Sequence, residues 1–221
     1  MNEKEIAALV AKVMSELGQT GACGQCDNTE EGLVPIGVSN RHIHLSQEDF
    51  EALFGAGATM THFKDLSQPG QYACQEVMTL VGPGGAIERV RLLGPARKQT
   101  QVEVSVADCF KLGVKPPLRD SGDLAGSAPI TIVGPKGSVN VPEGCIIAVK
   151  HIHMHTNDAE KLGLKDKDRV NVQVCGDRKM VFQEVLCRVS DKFQLEMHVD
   201  MDEANAACLS NGDKVRIIGK C

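Results

Sequence analysis

Apolar residues recur along this chain with two different periods, and the change from one to the other divides it. Ile6, Leu9, Val10, Val13, Met14 and Leu17 fall at i, i+3, i+4, i+7, i+8 and i+11. That spacing predicts an amphipathic helix over residues 1–17 with a single apolar face, ended by Gly18. Residues 18–32, GQTGACGQCDNTEEG, are small and polar and read as a flexible linker. From Leu33 onward the period falls to two. VPIGVSNRHIHL alternates as a strand up to His44, and SQEDFEALFG then carries a helix signature with Ser46 as N-cap, Asp49 three residues on and Gly55 as terminator. Strand pairs turn at Gly82-Pro83-Gly84-Gly85 and at Val133–Gly137.

The pattern then repeats. VKHIHMHTNDAEKLG copies NRHIHLSQEDFEALFG, with His42 and His151 in the same place of each copy. TQVEVSVADCFKLGV and FQLEMHVDMDEANAA correspond as strands running into short helices, aligned with Glu103 opposite Glu196 and Ser105 opposite His198. No long helices alternate with the strands, so neither a Rossmann sheet nor a TIM barrel fits. The expected fold is mainly β with short helices: two pseudo-duplicated β-barrel domains, residues 33–145 and 146–221, capped by short α-helices and preceded by the N-terminal amphipathic helix.

Composition changes this picture little. The chain has 221 residues, no Trp, one Tyr and six Phe, so its cores must be aliphatic. A net charge of −5 and the lack of a basic stripe argue against a nucleic-acid partner. No apolar run reaches the roughly 18 residues of a membrane span, and charges interrupt the N-terminus too often for a secretory signal. The nine cysteines then read mostly as reduced, buried thiols. Cys23-Gly-Gln-Cys26 is a lone CxxC in a polar segment, either incidental or half of a zinc or redox site.

The chemistry lies in the repeated His-Ile-His. Residues i and i+2 of a strand share a face, so His42 and His44 present two imidazoles together while Ile43 turns inward, and His151 and His153 do the same around Ile152. Two convergent imidazoles are most of an open catalytic zinc site. Two such pairs among only seven histidines point to metal binding, and Glu103 and His198, on corresponding strands, are candidates to complete the sets. His155 opens a helix and reads as a cap. Arg97, just before the Glu103 strand, is either a solvated loop cation or an anion clamp. Gly-rich SGDLAGS (121–127) lacks the GK[ST] of a P-loop.

VPIGVSNRHIHLSQEDFEALFG, RVRLLGPARKQTQVEVS, PPLRDSGDLAGSAPITIVGPKG and KHIHMHTNDAEKLGL together resemble the phosphate propanoyltransferase (PduL-type phosphotransacylase) family of bacterial microcompartments. The resemblance runs from Leu33 to the C-terminus. It implies two β-barrel domains around two divalent metal ions, zinc by ligand softness, and exchange of an acyl group between coenzyme A and phosphate. By residue it implies His42, His44 and Glu103 as ligands of one metal and His151, His153 and His198 of the other. Arg97 becomes the phosphate-binding and catalytic arginine. Val38, Ser39, Asn40, Arg91 and Asn205 match positions that contact coenzyme A. Lys150 and His155 depart from the usual Arg and Ser/Thr, and Gly84 stands where a turn lysine is common. The amphipathic N-terminus is similar to encapsulation peptides, implying shell or other lumen enzymes as partners and the microcompartment lumen, within the cytoplasm, as location. The same helix allows self-association into a homo-oligomer. Two other classes remain compatible with the residues alone: a metal-dependent thioester or amide hydrolase, and a zinc-stabilised structural cargo protein.

Overall fold

The computed structural model describes residues 32–221. The helix expected over 1–17, nearly all of the linker, Cys23 and Cys26 lie outside the described residues.

Two rings of strands dominate the described chain. In the first, β2 (His42–His44) pairs with β5 (Gly85–Gly94), then in turn come β4 (Tyr72–Gly82), β8 (Ala128–Val133), β9 (Ser138–Ala148) and β6 (Gln101–Glu103), which returns to β2. Short β3 (His62–Asp65) and β7 (Leu118–Arg119) attach outside the ring, to β4 and β9. The second is a closed barrel of β1 (Leu33–Ser39), β13 (Glu196–Asp200), β10 (His151–Met154), β12 (Met180–Val189), β11 (Arg169–Val174) and β14 (Lys214–Lys220). The mainly β, double-barrel class expected from the sequence is the fold observed.

The rings do not divide at 145/146. β1, expected with the first half, closes the second barrel, lying parallel to β13 and antiparallel to β14. Its inward residues decide this: Val34 and Ile36 pack with Ile152, Met154, Val185 and Met197, in the second of two separate aliphatic cores. Conversely β9, which leads directly into β10, belongs to the first ring. The run expected as one strand from Val34 to His44 is therefore two strands in different barrels. It breaks at Asn40-Arg41, where the Asn40 side-chain oxygen accepts from the Arg41 N–H at 2.8 Å and competes with the ladder. Val149-Lys150 makes the equivalent break. The chain thus crosses between barrels immediately before each His-Ile-His.

Four short helices cap the described residues: α1 (Gln47–Phe54), α2 (Val106–Leu112), α3 (Thr156–Lys161) and α4 (Met201–Ala207). α1 begins at Ser46 and ends at Gly55, as its sequence predicts. His155 is the N-cap of α3, its Nδ1 accepting from the Asn157 N–H at 3.1 Å. Ser105 and Asp200 cap α2 and α4, each in a reciprocal box with the third residue on, Asp108 or Glu203.

Those caps correct the internal alignment. His42 lies opposite Glu103 and His151 opposite His198; His44 lies opposite Gln101 and His153 opposite Glu196. The matched pairs are therefore Gln101 with Glu196, Glu103 with His198 and Ser105 with Asp200, two residues away from the alignment expected by similarity. The duplication extends to backbone detail. Arg89 (φ 58) and Glu184 (φ 59) take the same left-handed conformation two residues before the partners of His42 and His151, Arg91 and Leu186. Gly84 does not face the cleft described below. Its N–H donates to the Leu112 carbonyl at 2.9 Å and an added Cβ would sit 3.0 Å from Gly113, so this turn packs on the end of α2 and a side chain there would need the Gly113 backbone to give by a few tenths of an ångström.

Candidate active site

Both His-Ile-His strands open onto one cleft of about 690 Å³. Its walls include His42, His44 and Glu103 from the first barrel and His151, His153 and His198 from the second, with Arg97 and Arg188. In each group of three, one ligand atom per residue lies within 4.8 Å of the others. His42 Nε2 is 3.4 Å from a Glu103 oxygen. The rings of His151, His153 and His198 lie 4.7 to 5.1 Å apart, centroid to centroid.

The imidazoles are held in matching ways. His42 Nδ1 is 2.8 Å from the Asn40 carbonyl and His151 Nδ1 is 2.7 Å from the Val149 carbonyl, each contact reaching back two residues into the crossover. A proton on Nδ1 makes both bonds and leaves the Nε2 lone pair free for the cleft. His44 Nδ1 and His153 Nδ1 are buried with no hydrogen-bond partner. An orphaned buried nitrogen costs stability unless something occupies it, and in a cluster of imidazoles and a carboxylate a divalent metal is the natural occupant. The donor set thus fits zinc-type ions at two places.

Electrostatics separates the two groups. Burial lowers His42, but Glu103 and the Asn40 carbonyl outweigh it and hold His42 above its ordinary value. Burial would raise Glu103, yet His42, His44 and the Ser121 hydroxyl bring it far below the usual carboxylate range. The first group is therefore built to hold positive charge. Burial, then neighbouring His42 and Arg97, push His44 well below its usual value. Burial and the neighbouring imidazoles depress His151 to about 4 and His153 to about 2, so both stay neutral donors at neutral pH. Burial lowers Arg97 as well, and neighbouring Arg188 lowers it further while Glu103 opposes. Two guanidiniums in one cleft that repel each other will be relieved by an anion.

Arg97 is fixed by its backbone N–H to the Leu45 carbonyl at 2.8 Å and by its Nη1 to the Ser121 hydroxyl at 3.2 Å, so the 121–127 loop contributes a side chain to the site. Val38, Ser39, Asn40 and Arg91 line the cleft. Arg91 stacks on Phe63 at 5.2 Å and donates to the Cys74 and Gln75 carbonyls. Asn205 is exposed on α4, outside the cleft lining, where its carbonyl accepts from Arg178 at 3.2 Å. Cleft residues that sequence reasoning missed are Arg188, Asn211 and Ser67. Arg188 had a signal: it is the one cation of VLCRV, alternating with core-facing Val185 and Cys187 and so lying on the cleft face beside His153. Asn211 and Ser67 sit in polar turns and had none. Cys74, Cys109, Cys145 and Cys187 are buried free thiols. Burial pushes them up to about 11 or 12, which makes them poor nucleophiles.

The sequence model of the phosphate propanoyltransferase family matches residues 35–210. A Thermotoga maritima protein named phosphate propanoyltransferase is 59% identical over 190 residues, covering 86% of this chain and 90% of its own. Proteins of the same name from Rhodopseudomonas palustris and Listeria monocytogenes are 47% and 44% identical, covering the whole of this chain and 99% and 98% of their own. Among the described residues no helix is long and apolar enough to cross a membrane.

Proposed function

Since this chain belongs to the phosphate propanoyltransferase family of acyltransferases, we propose that it interconverts acyl-CoA plus phosphate with acyl phosphate plus CoA, propanoyl or acetyl, in the cleft between its barrels. The observation that carries this reading is that two metal-ligand groups and a fixed, desolvated Arg97 share one cleft. His42, His44 and Glu103 would hold one divalent ion and His151, His153 and His198 another, and these would supply Lewis acidity toward the thioester and charge neutralisation for thiolate and phosphate. Arg97, with Arg188, binds the phosphate oxygens and aims one at the thioester carbon. The phosphate oxygen forms the new C–O bond, the C–S bond breaks, the sulfur leaves with the electron pair, and the proton of the phosphate ends on CoA. The buried thiols have no role as acyl carriers, and no serine elbow is required. Val38, Ser39, Asn40 and Arg91, which line the cleft, are proposed as contacts for CoA.

The test is the acceptor. Propanoyl-CoA should lose CoA only when phosphate is present, with one hydroxylamine-trappable acyl phosphate per CoA released. CoA release at equal rate without phosphate would make the protein a hydrolase and sink the reading. Residues 1–17 are proposed as the peptide that takes the enzyme into a microcompartment lumen through shell or lumen-enzyme contacts. A fluorescent protein carrying them should copurify with assembled shells and lose this on Leu9→Glu.

A further inference from the structure

Each ligand group is completed by a residue that the duplication places identically but with different chemistry. Opposite His44 stands Gln101 and opposite His153 stands Glu196. Each lies two residues before the third ligand on its strand, Glu103 or His198, and each bonds to it. Gln101 Nε2 donates to Glu103 Oε1 at 2.5 Å, and its own oxygen accepts from the Gly122 N–H at 2.9 Å. His198 Nε2 donates to Glu196 Oε2 at 2.6 Å. A carboxylate ligand is backed by a neutral amide and an imidazole ligand by a carboxylate, so each pair carries one carboxylate, as the ligand in the first and as its support in the second.

We propose that Gln101 and Glu196 are matched positioning residues, Gln101 fixing the Glu103 carboxylate of the first metal and Glu196 fixing the His198 imidazole of the second. This rests on the two-metal reading above. Glu196 is itself held from the opposite barrel. Ser67, from a first-barrel loop, donates to its Oε2, which ties the second group to the opposite barrel. The neighbouring Gln68 and Gln194 bond reciprocally, at 3.0 and 3.2 Å, and fix that loop. On β1, Gly37 leaves the space the carboxylate occupies: a Cβ there would come 2.7 Å from Glu196 Cδ. Outer-shell carboxylates orient metal-bound imidazoles and raise their basicity, and losing one typically weakens metal binding roughly 10- to 100-fold.

The test titrates metal against a chelator in the full chain and counts ions per protein, alongside thermal melting of the metal-free form. Wild type should hold two ions. Glu196→Gln should hold one of them 10- to 100-fold more weakly, with little change in the metal-free melt. Gly37→Ala moves the carboxylate without removing it, and the obstacle it meets is the end of a flexible side chain, so it should fold and show the same selective loss. In a His153→Ala background, which already lacks the second ion, Glu196→Gln should change nothing more. Gln101→Met should weaken the first ion and spare the second. Equal weakening of both ions by Glu196→Gln, or unchanged affinity in both Glu196→Gln and Gly37→Ala, would overturn the pairing. So would a metal-loaded structure with a Glu196 oxygen within about 2.2 Å of the ion, since that makes it a ligand. Wild type that binds no ion would overturn the two-metal reading as well, so the two failures are distinguishable.

Discussion

Arg97 is fixed at both ends, by Leu45 through its backbone and by Ser121 through its guanidinium, and its charge faces that of Arg188. Its planar fork, rather than its charge alone, is what the account needs for phosphate. Arg97→Lys should lower kcat/KM for acyl phosphate roughly 100-fold while both ions remain bound; a drop of less than fivefold would remove Arg97 from the phosphate site. The histidines give a second expectation. In metal-free protein, His151 and His153 stay neutral in the fold but take up protons near 6.5 once unfolded. Their folded values are depressed, so the stability they contribute is present above 6.5 and is lost as pH falls toward 4. His42, raised, has the opposite sign and offsets part of this, while Glu103 loses its contribution only at lower pH. The urea midpoint of chelated protein should be lower at pH 5 than at pH 7, and an unchanged midpoint would contradict these assignments.

At the scale of elements, the helices and turns were legible because each carries its own local chemistry. Ser46 and Gly55 bound α1, and Gly82–Gly85 turns β4 into β5. The pairing of elements was not legible. His42–His44 and Leu33–Ser39 read as one alternating run, since alternation reports which face is buried but not against which core. The register between copies also differs by two residues from the one similarity predicts, because Glu103 and Glu196 look alike while their strands align Glu103 with His198. Even spacing preserves facing, so such an error leaves every alternation intact. The observed alignment explains an otherwise unconnected pair of ion pairs. Arg41 meets Asp108 at 2.7 Å and Lys150 meets Glu203 at 3.6 Å, each tying a crossover residue to the capping box of the corresponding helix. Asp108 is buried and Arg41 only partly so. Asp108→Ala, which leaves the Ser105 N–H and Arg41 without their partner, should cost about 2–3 kcal/mol in chemical denaturation. Under 1 kcal/mol would show that the pair does little.

For the whole described molecule, the exchange of β1 into the second barrel makes that barrel depend on the first half of the sequence. The second half does not contain all the strands of its own ring. Residues 146–221 alone lack β1, and with it Val34 and Ile36, leaving β13 and β14 as open edges around an incomplete core. That fragment should not fold alone, and a version with residues 32–39 joined after Cys221 should recover cooperative melting. A cooperative melt of 146–221 by itself would contradict the exchange. The same architecture explains why the site's ligands were readable early and its surroundings were not. His-Ile-His is local, whereas Ser67 reaches Glu196 only through the way the two barrels meet.

Metal-dependent transfer of an acyl group between phosphate and CoA is the proposed activity on which the rest depends. The most direct measurement is thioester absorbance after mixing the protein with CoA and propanoyl or acetyl phosphate, before chelation, after it, and after zinc is returned. The expected result is a rise that chelation abolishes and zinc restores, with Arg97→Lys far slower throughout. No rise from folded, metal-loaded protein with either acyl phosphate, or a rise indifferent to chelation, would contradict it.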